Sequence, residues 1–541
     1  MATNSQTIPI PIPVNGVIAN QNPRTIGATG LVDAKNFLYR NGKFRSRPGL
    51  YDKTATGYYF DNDDATPERP LGITSFGSDQ ATSITVIGTD TGWWKFIPGD
   101  GTLVDITDRD NELTGDDDDH VIFRSIDASN PEDGGAADTY LIGTNGSDIA
   151  KYWKSTDSEY SDITNTYTGN TDNMVAKCVT VSFDRVVYGN VRIGTDTYPD
   201  AIIYTEYLKF NEWNPINIIR LADTQGYIVG MLEYGNRATA IYKTDAIYLL
   251  SAIGQPNAPF RLDLKVSGIA GPVSPKTVIQ VDGFHVYLAS DGDVVMFDGS
   301  QARSLGAHLQ AYFQQYMDFG KQSLAFGFYN SSKKELHFYF AGYSDDYVKN
   351  GVIINMSNPS QPTLWPIRFE REVSAGNTIL SNETPTWGSL PPDANLGSMT
   401  GSIGSYGSYE YNPILCTPRA NSAEGKVYYL SGSTDDGDDI EVYARTGWYD
   451  LGEVRRYKTI KEIDHLFKQS TGQELDVQLY VSISGETSNL SNQQTISLTT
   501  PPFITYHRDT GRLISLVISG DVSAHIEWLG SEATAKGRGR R

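Results

Sequence analysis

The chain has 541 residues, with 65 acidic and 44 basic side chains, a net charge of −21 and two cysteines. That balance excludes a protein that wraps nucleic acid with a basic surface, which needs Lys and Arg to displace counterions; it fits either no dealings with DNA or a surface that DNA slides past. Two cysteines, Cys178 and Cys416, exclude a disulfide framework, and no run approaches the ~18 apolar residues of a membrane span. The segment Met1 to Val17 has no Lys or Arg and no apolar core, so no Sec-type signal is expected. Abundant Tyr (33) and Gly (52) with few long helical patterns predict an all-β chain.

Residues 1–30 are polar and Pro-rich. Ile8-Pro9-Ile10-Pro11-Ile12-Pro13 predicts an extended polyproline-like arm, loose or laid across a neighbouring subunit. Residues 31–436 are expected to form a β-propeller, because two stretches read as copies of one unit. Thr85-Val86-Ile87-Gly88-Thr89 leads through Asp90-Thr91-Gly92 into Trp93-Trp94-Lys95-Phe96 and closes with Asp105-Ile106-Thr107. Tyr140-Leu141-Ile142-Gly143-Thr144 leads through Asn145-Gly146 into Ala150-Lys151-Tyr152-Trp153 and closes with Asp162-Ile163-Thr164. The offset is 143 − 88 = 55 residues, near the length of a multi-stranded propeller blade. Trp93, Trp94 and Trp153 stand at matching places and are expected to fill the spaces between blades.

Strand and turn signals continue from Val175 to Trp365. One segment breaks the rhythm: Leu305, Leu309, Tyr312, Phe313 and Tyr316 predict an amphipathic helix over 303–317 that packs on a blade. Residues 376–425, rich in Gly, Ser, Asn and Pro, read as an insertion, a candidate for subunit contacts along with the N-terminal arm. Val427 to Leu430 and Ile440 to Tyr443 look like a last hairpin. Alternating strands over 437–532 predict a separate C-terminal β-sandwich, and 533–541, ending Lys536-Gly537-Arg538-Gly539-Arg540-Arg541, a solvated basic tail.

No residue is nominated as catalytic, cofactor-binding or metal-ligating. His120, His285, His308, His337, His465, His507 and His525 are scattered without zinc-site spacing. The acidic runs 61–64, 116–119 and 435–439 lack the ligand order of a calcium loop and read as solvated loop tips. A glycoside hydrolase needs two carboxyls across a sugar, and the many Asp and Glu single out no pair. The chain is therefore expected not to be an enzyme.

Three stretches carry a resemblance. Asp33-Ala34-Lys35-Asn36 with Gly42-Lys43-Phe44-Arg45-Ser46-Arg47-Pro48-Gly49 looks like the entry to a propeller found in phage structural proteins. Gly226 to Gly230, Tyr242 to Tyr248 and Ser267 to Gly271 resemble the same group, as do Gly511 to Leu516 and Ile526 to Leu529. The chain is similar to the tail nozzle, or packaged-DNA-stabilising hub, of short-tailed bacteriophages. The resemblance implies a virion tail protein assembled in the host cytoplasm. It implies a six-fold ring below the portal, in contact with an adaptor and with tail fibres or spikes. DNA would be retained and ejected through its lumen without sequence-specific binding, and no active-site residues carry over. A receptor- or glycan-binding tail propeller is the alternative reading, and a glycoside hydrolase a further one.

Overall fold

The computed structural model describes residues 5–60, 68–76, 84–130, 137–167, 173–235, 238–255, 258–381, 410–418, 425–452, 456–484 and 488–537. Among these, seven four-stranded antiparallel sheets follow one another around an axis. Blade 1 runs Pro70–Phe76, Ile84–Thr89, Trp93–Ile97 and Thr102–Asp105 from the axis outwards, and blade 2 runs Ile122–Ser129, Ala137–Thr144, Lys151–Trp153 and Ser161–Asp162. The repeated sequence unit is thus the outer three strands of successive blades. Blades 3 to 6 occupy 174–220, 228–267, 279–304 and 326–368. Blade 7 takes Ala375–Ser381, Glu410–Cys416 and Val427–Gly432, and its outermost strand is Gly49–Asp52 from the other end of the chain. The ring closes where Ala375–Ser381 packs beside Pro70–Phe76.

Aromatic side chains fill the gaps between blades, as expected of them. Trp93 on blade 1 lies 4.9 Å from Phe123 and 5.0 Å from Tyr160 on blade 2, and Trp153 lies 5.5 Å from Phe76. The next residue, Trp94, points the other way, as strand alternation requires, and joins the core shared with blade 7. Gly143 is obligatory here: a Cβ would stand 2.2 Å from the Trp93 ring.

The remaining strands form a two-sheet sandwich. One sheet holds Ser5–Ile10, Phe37–Arg40, Lys43–Ser46, Lys458–Phe467, Phe503–Tyr506, Thr510–Gly511 and Glu527–Gly537. The other holds Leu31–Lys35, Ile440–Thr446, Glu474–Ser482, Ser488–Leu490, Gln494–Ser497 and Leu513–Val522.

Several sequence-based boundaries move. Leu31–Ser46 belongs to the sandwich and not to the propeller. The arm is no loose polyproline segment: Ser5–Ile10 pairs with Ser531–Lys536. Its isoleucines sit at period two, so Ile8 and Ile10 face the core while Pro9 points out from an edge strand, where a missing N–H is tolerated. The basic tail begins later than 533, because Ala533 and Ala535 are buried in a strand that runs to Gly537; Arg538 to Arg541 lie outside the described residues. The insertion shrinks from both ends, since 376–381 and 410–416 are the two inner strands of blade 7; 382–409 lie outside the described residues.

Val427–Gly432 and Ile440–Thr446 are no hairpin either. The chain passes from blade 7 to the sandwich between them, turning at Asp436 and Gly437, both with positive φ. Nor is the sandwich separate: one core cluster spans both bodies, with Phe44 of the sandwich 6.1 Å from Trp365 of blade 6 and 5.7 Å from Trp528. The helix is Ala307–Tyr316; it buries Leu309, Tyr312 and Phe313, with Phe313 5.3 Å from Phe340 of blade 6. A one-turn helix, Pro23–Ile26, capped by Asn22, precedes the sandwich strands.

Candidate functional site

The innermost strand of each blade has a neighbour on its outer side only, so half of its backbone N–H and C=O groups face the axis. Such groups need water or ligand, and the axis is accordingly an open channel. Its cavity is about 270 Å³ and is walled by all seven blades, among others by Thr74, Arg124, Cys178, Met231, Phe328 and Asn377, with Lys276 from the turn leading into blade 5. Where the inner strands begin, His120 crosses from the connection into blade 2 to the connection into blade 6. Its Nε2 donates to the Ser323 carbonyl oxygen at 2.8 Å. Burial holds this imidazole neutral, with its pKa pulled down to about 4. One end of the channel is therefore bridged.

Among the described residues, Arg124 and Lys276 are the Lys and Arg side chains of this wall, which holds no Asp, Glu or His. Arg124 donates to the Phe123 carbonyl oxygen at 2.7 Å, and no ion pair to it is found among the described residues. Burial, reinforced by the charge of Arg124, brings the Lys276 ammonium down to about 7. Cys178 donates to the Val229 carbonyl, and burial pushes its thiol up to about 12, which leaves it unreactive.

A second concentration of ionisable groups lies where blades 1, 2, 6 and 7 meet. Glu68 is buried and accepts from Trp94 Nε1 at 2.6 Å and Thr89 Oγ1 at 2.7 Å. The Arg69 guanidinium pairs with Glu372 and, at 3.3 Å, with Asp117, and stacks 4.4 Å from the Tyr347 ring. Asp90 accepts from the Arg69 backbone N–H at 2.8 Å; burial, then the charge of Glu68, raises it to about 6. Burial also pushes Glu372 upwards, against the pull of Arg69. Raised carboxyls beside ionised ones are the raw material of acid–base chemistry. Here Glu68, Asp90 and Glu372 each accept from a fixed donor of the scaffold, so the cluster ties blades together.

The acidic runs are tied in part, while Asp116, Asp117, Asp118, Asp438 and Asp439 stay exposed. Asp435 and Asp436 bind Arg47 and Arg371, at 2.8 Å in both cases, and Asp119 accepts from Ser147 Oγ at 2.6 Å. Residues 61–64 lie outside the described residues. No group of three or more His, Cys, Asp or Glu is arranged to hold a metal among the described residues.

Two residues of the first stretch that carries the resemblance, Asn36 and Arg47, meet in one buried clasp. Arg47 is 1% exposed, and its five N–H groups reach five acceptors. Nε donates to Asn36 Oδ1 at 2.8 Å, Nη1 to Asp435 Oδ1 at 2.8 Å and to the Pro48 carbonyl at 3.0 Å, and Nη2 to Asp435 and to the Arg368 carbonyl at 2.9 Å. Asn36 adopts φ +62°, a conformation Asn tolerates, and also accepts from the Arg368 backbone N–H at 2.7 Å and donates to the Glu441 carbonyl at 2.7 Å. The clasp thus joins blade 6, the strand that closes blade 7, and the sandwich. Sequence reading missed Arg124, Lys276 and the Arg69 cluster, because their members lie far apart in the chain and no spacing marks them; the Asn36 and Arg47 motifs were the one visible signal.

The sequence matches no protein-family model and no curated protein. Among solved structures, BBS1N in complex with ARL6DN is 9% identical, with a TM-score of 0.39 over 72% of this chain and 99% of that one. Raptor of Chaetomium thermophilum is 8% identical, with a TM-score of 0.39 over 72% of this chain and 30% of that one. The Pan2 WD40 domain of Neurospora crassa is 8% identical, with a TM-score of 0.37 over 72% of this chain and 97% of that one. The strand topology itself makes this chain an all-β propeller with a β-sandwich built from both ends of the chain.

Proposed function

We propose that the chain is a structural virion protein, the subunit of a tail nozzle through which a short-tailed phage retains and ejects its DNA. The observation that carries this reading is the clasp: the Asn36 and Arg47 motifs that resemble the nozzle group are the residues joining propeller and sandwich. The stretches 242–248 and 511–529 supply core strands of blade 4 and of the sandwich. The propeller channel, about 270 Å³ and bridged at one end, takes small molecules only. In this reading DNA therefore runs between subunits, along the axis of a six-fold ring. A net charge of −21 would let it pass without adhering. The ring would meet an adaptor above and fibres or spikes at its rim, and the chain has no catalytic task.

Cryo-EM of the source particles tests this. A six-fold ring of this chain on the DNA exit axis, with an acidic lumen, is the expected result; a peripheral position, or a lumen lined by Lys and Arg, would overturn it. One observation favours the second reading, a receptor- or glycan-binding propeller. Tyr343 is 63% exposed on a loop of blade 6, as a ring that stacks on sugars would be. Glycan-array binding that disappears on Tyr343→Ala would support that reading.

A further inference from the structure

The propeller channel holds two cations in a protein that is strongly anionic. Arg124 projects from the inner strand of blade 2 and Lys276 from the turn into blade 5, three blades on in a ring of seven and so across the axis. Both are partly buried in the wall, which disfavours their charged forms, and the charge of Arg124 reaches Lys276. The ordinary remedy for a desolvated cation is a carboxylate within reach. Arg47, Arg69 and Arg368 all have one in this fold. Arg124 and Lys276 do not: among the described residues neither forms an ion pair, and the Lys276 side chain forms no hydrogen bond, its backbone N–H alone donating to Ser274 Oγ at 3.2 Å. Glu233 acts on Arg124 from a distance but is exposed and outside the channel wall. Two basic groups therefore face one water-sized to metabolite-sized space, with guanidinium donors left over in the planar geometry that suits oxyanions, and an anion between them would favour the charged form of Lys276.

We propose that the centre of the propeller channel is a binding site for a small multivalent oxyanion of the phosphate type, held between the Arg124 guanidinium and the Lys276 ammonium. The cavity is large enough for a phosphate with part of its water shell. Around it, the backbone edges of the inner strands supply further N–H donors, and Thr74, Gln280 and Asn377 supply side-chain polar groups. His120 stands near Lys276 at the bridged end and stays neutral, so it neither competes for the anion nor adds charge. Bound there, the anion would relieve the repulsion between the two cations and link opposite sides of the ring. The site is independent of the nozzle reading and would serve any propeller of this sequence.

Two experiments on the full chain decide it. In the first, melting temperature is followed with inorganic phosphate, sulfate, acetate and chloride at matched ionic strength. Phosphate and sulfate should raise it in a saturable way, acetate and chloride should not, and Arg124→Gln and Lys276→Gln should each abolish the rise. An equal rise with chloride or acetate, or an undiminished rise in folded variants, overturns the proposal. The second needs no variant: lysines of the wild-type protein are acetylated and quantified by mass spectrometry. Phosphate at ten times its dissociation constant should cut labelling of Lys276 about tenfold, following occupancy, while exposed lysines label as before. Unchanged labelling of Lys276 overturns the site even if both variants fail to fold.

Discussion

Arg47 shows how a charge can be buried without penalty to order. Its guanidinium is satisfied in every direction, and it lies 4.3 Å from the Phe369 ring. Replacing it by Met leaves Asp435 buried and unpaired, which should lower unfolding free energy by about 3–5 kcal/mol. Arg47→Lys should recover little, because an ammonium cannot make the fork to Asp435. Urea unfolding measures both, and a loss below about 1 kcal/mol for Arg47→Met would contradict the structure.

The histidines make a second residue-scale prediction. Burial holds His465 down to about 3, helped by His507, and His120 and His285 down to about 4. In the unfolded chain each would titrate near 6.5. Below that pH the unfolded state binds protons that the folded state refuses. The stability that neutral histidines confer is thus complete above pH about 6.5 and is lost as pH falls towards 4. Each histidine contributes a slope of about 1.4 kcal/mol per pH unit in that window. The urea midpoint should therefore be clearly lower at pH 5 than at pH 7. Equal midpoints would mean that these rings are hydrated.

At the scale of the element, the closing strand Gly49–Asp52 is the weak joint. A Cβ on Gly49 would stand 2.0 Å from the Thr434 carbonyl oxygen. Gly49→Val should therefore push that strand off Val427–Gly432, costing about 1–3 kcal/mol or more. Hydrogen exchange should accelerate first in blade 7; uniform acceleration across all blades would argue against a local joint. Deleting residues 1–10 should uncover the edge of Glu527–Gly537, and sedimentation should then detect self-association through it. Strands with clean local signals were legible in the sequence: the Gly-Thr and Trp hairpins of blades 1 and 2, the 303–317 helix, the alternating sandwich strands. What escaped was pairing over hundreds of residues. Nothing local tells Leu31–Lys35 that its partner is Ile440–Thr446, or an Ile-Pro alternation that it will be a strand and not a polyproline arm. The channel cations were invisible for the same reason, since only ring closure brings Arg124 and Lys276 to one axis.

At the scale of the whole molecule, charge rather than shape sets the dealings with DNA. With net charge −21 the chain should give no mobility shift with duplex DNA even at about 50 mM salt, where phosphate contacts are strongest. A shift that vanished on removal of residues 538–541 would instead assign DNA contact to the basic end. The fold also interlaces its two ends, with Ser5–Asp52 supplying strands to sheets otherwise built from 375–537. During synthesis the opening strands leave the ribosome first and wait for partners that emerge last, behind all the blades between them. Contacts of such sequence separation fold slowly, and the waiting edges are open to other chains. A ribosome that stalls before residue 537 therefore releases a chain that cannot finish its sandwich, and one that stalls before 427 releases a ring that cannot close.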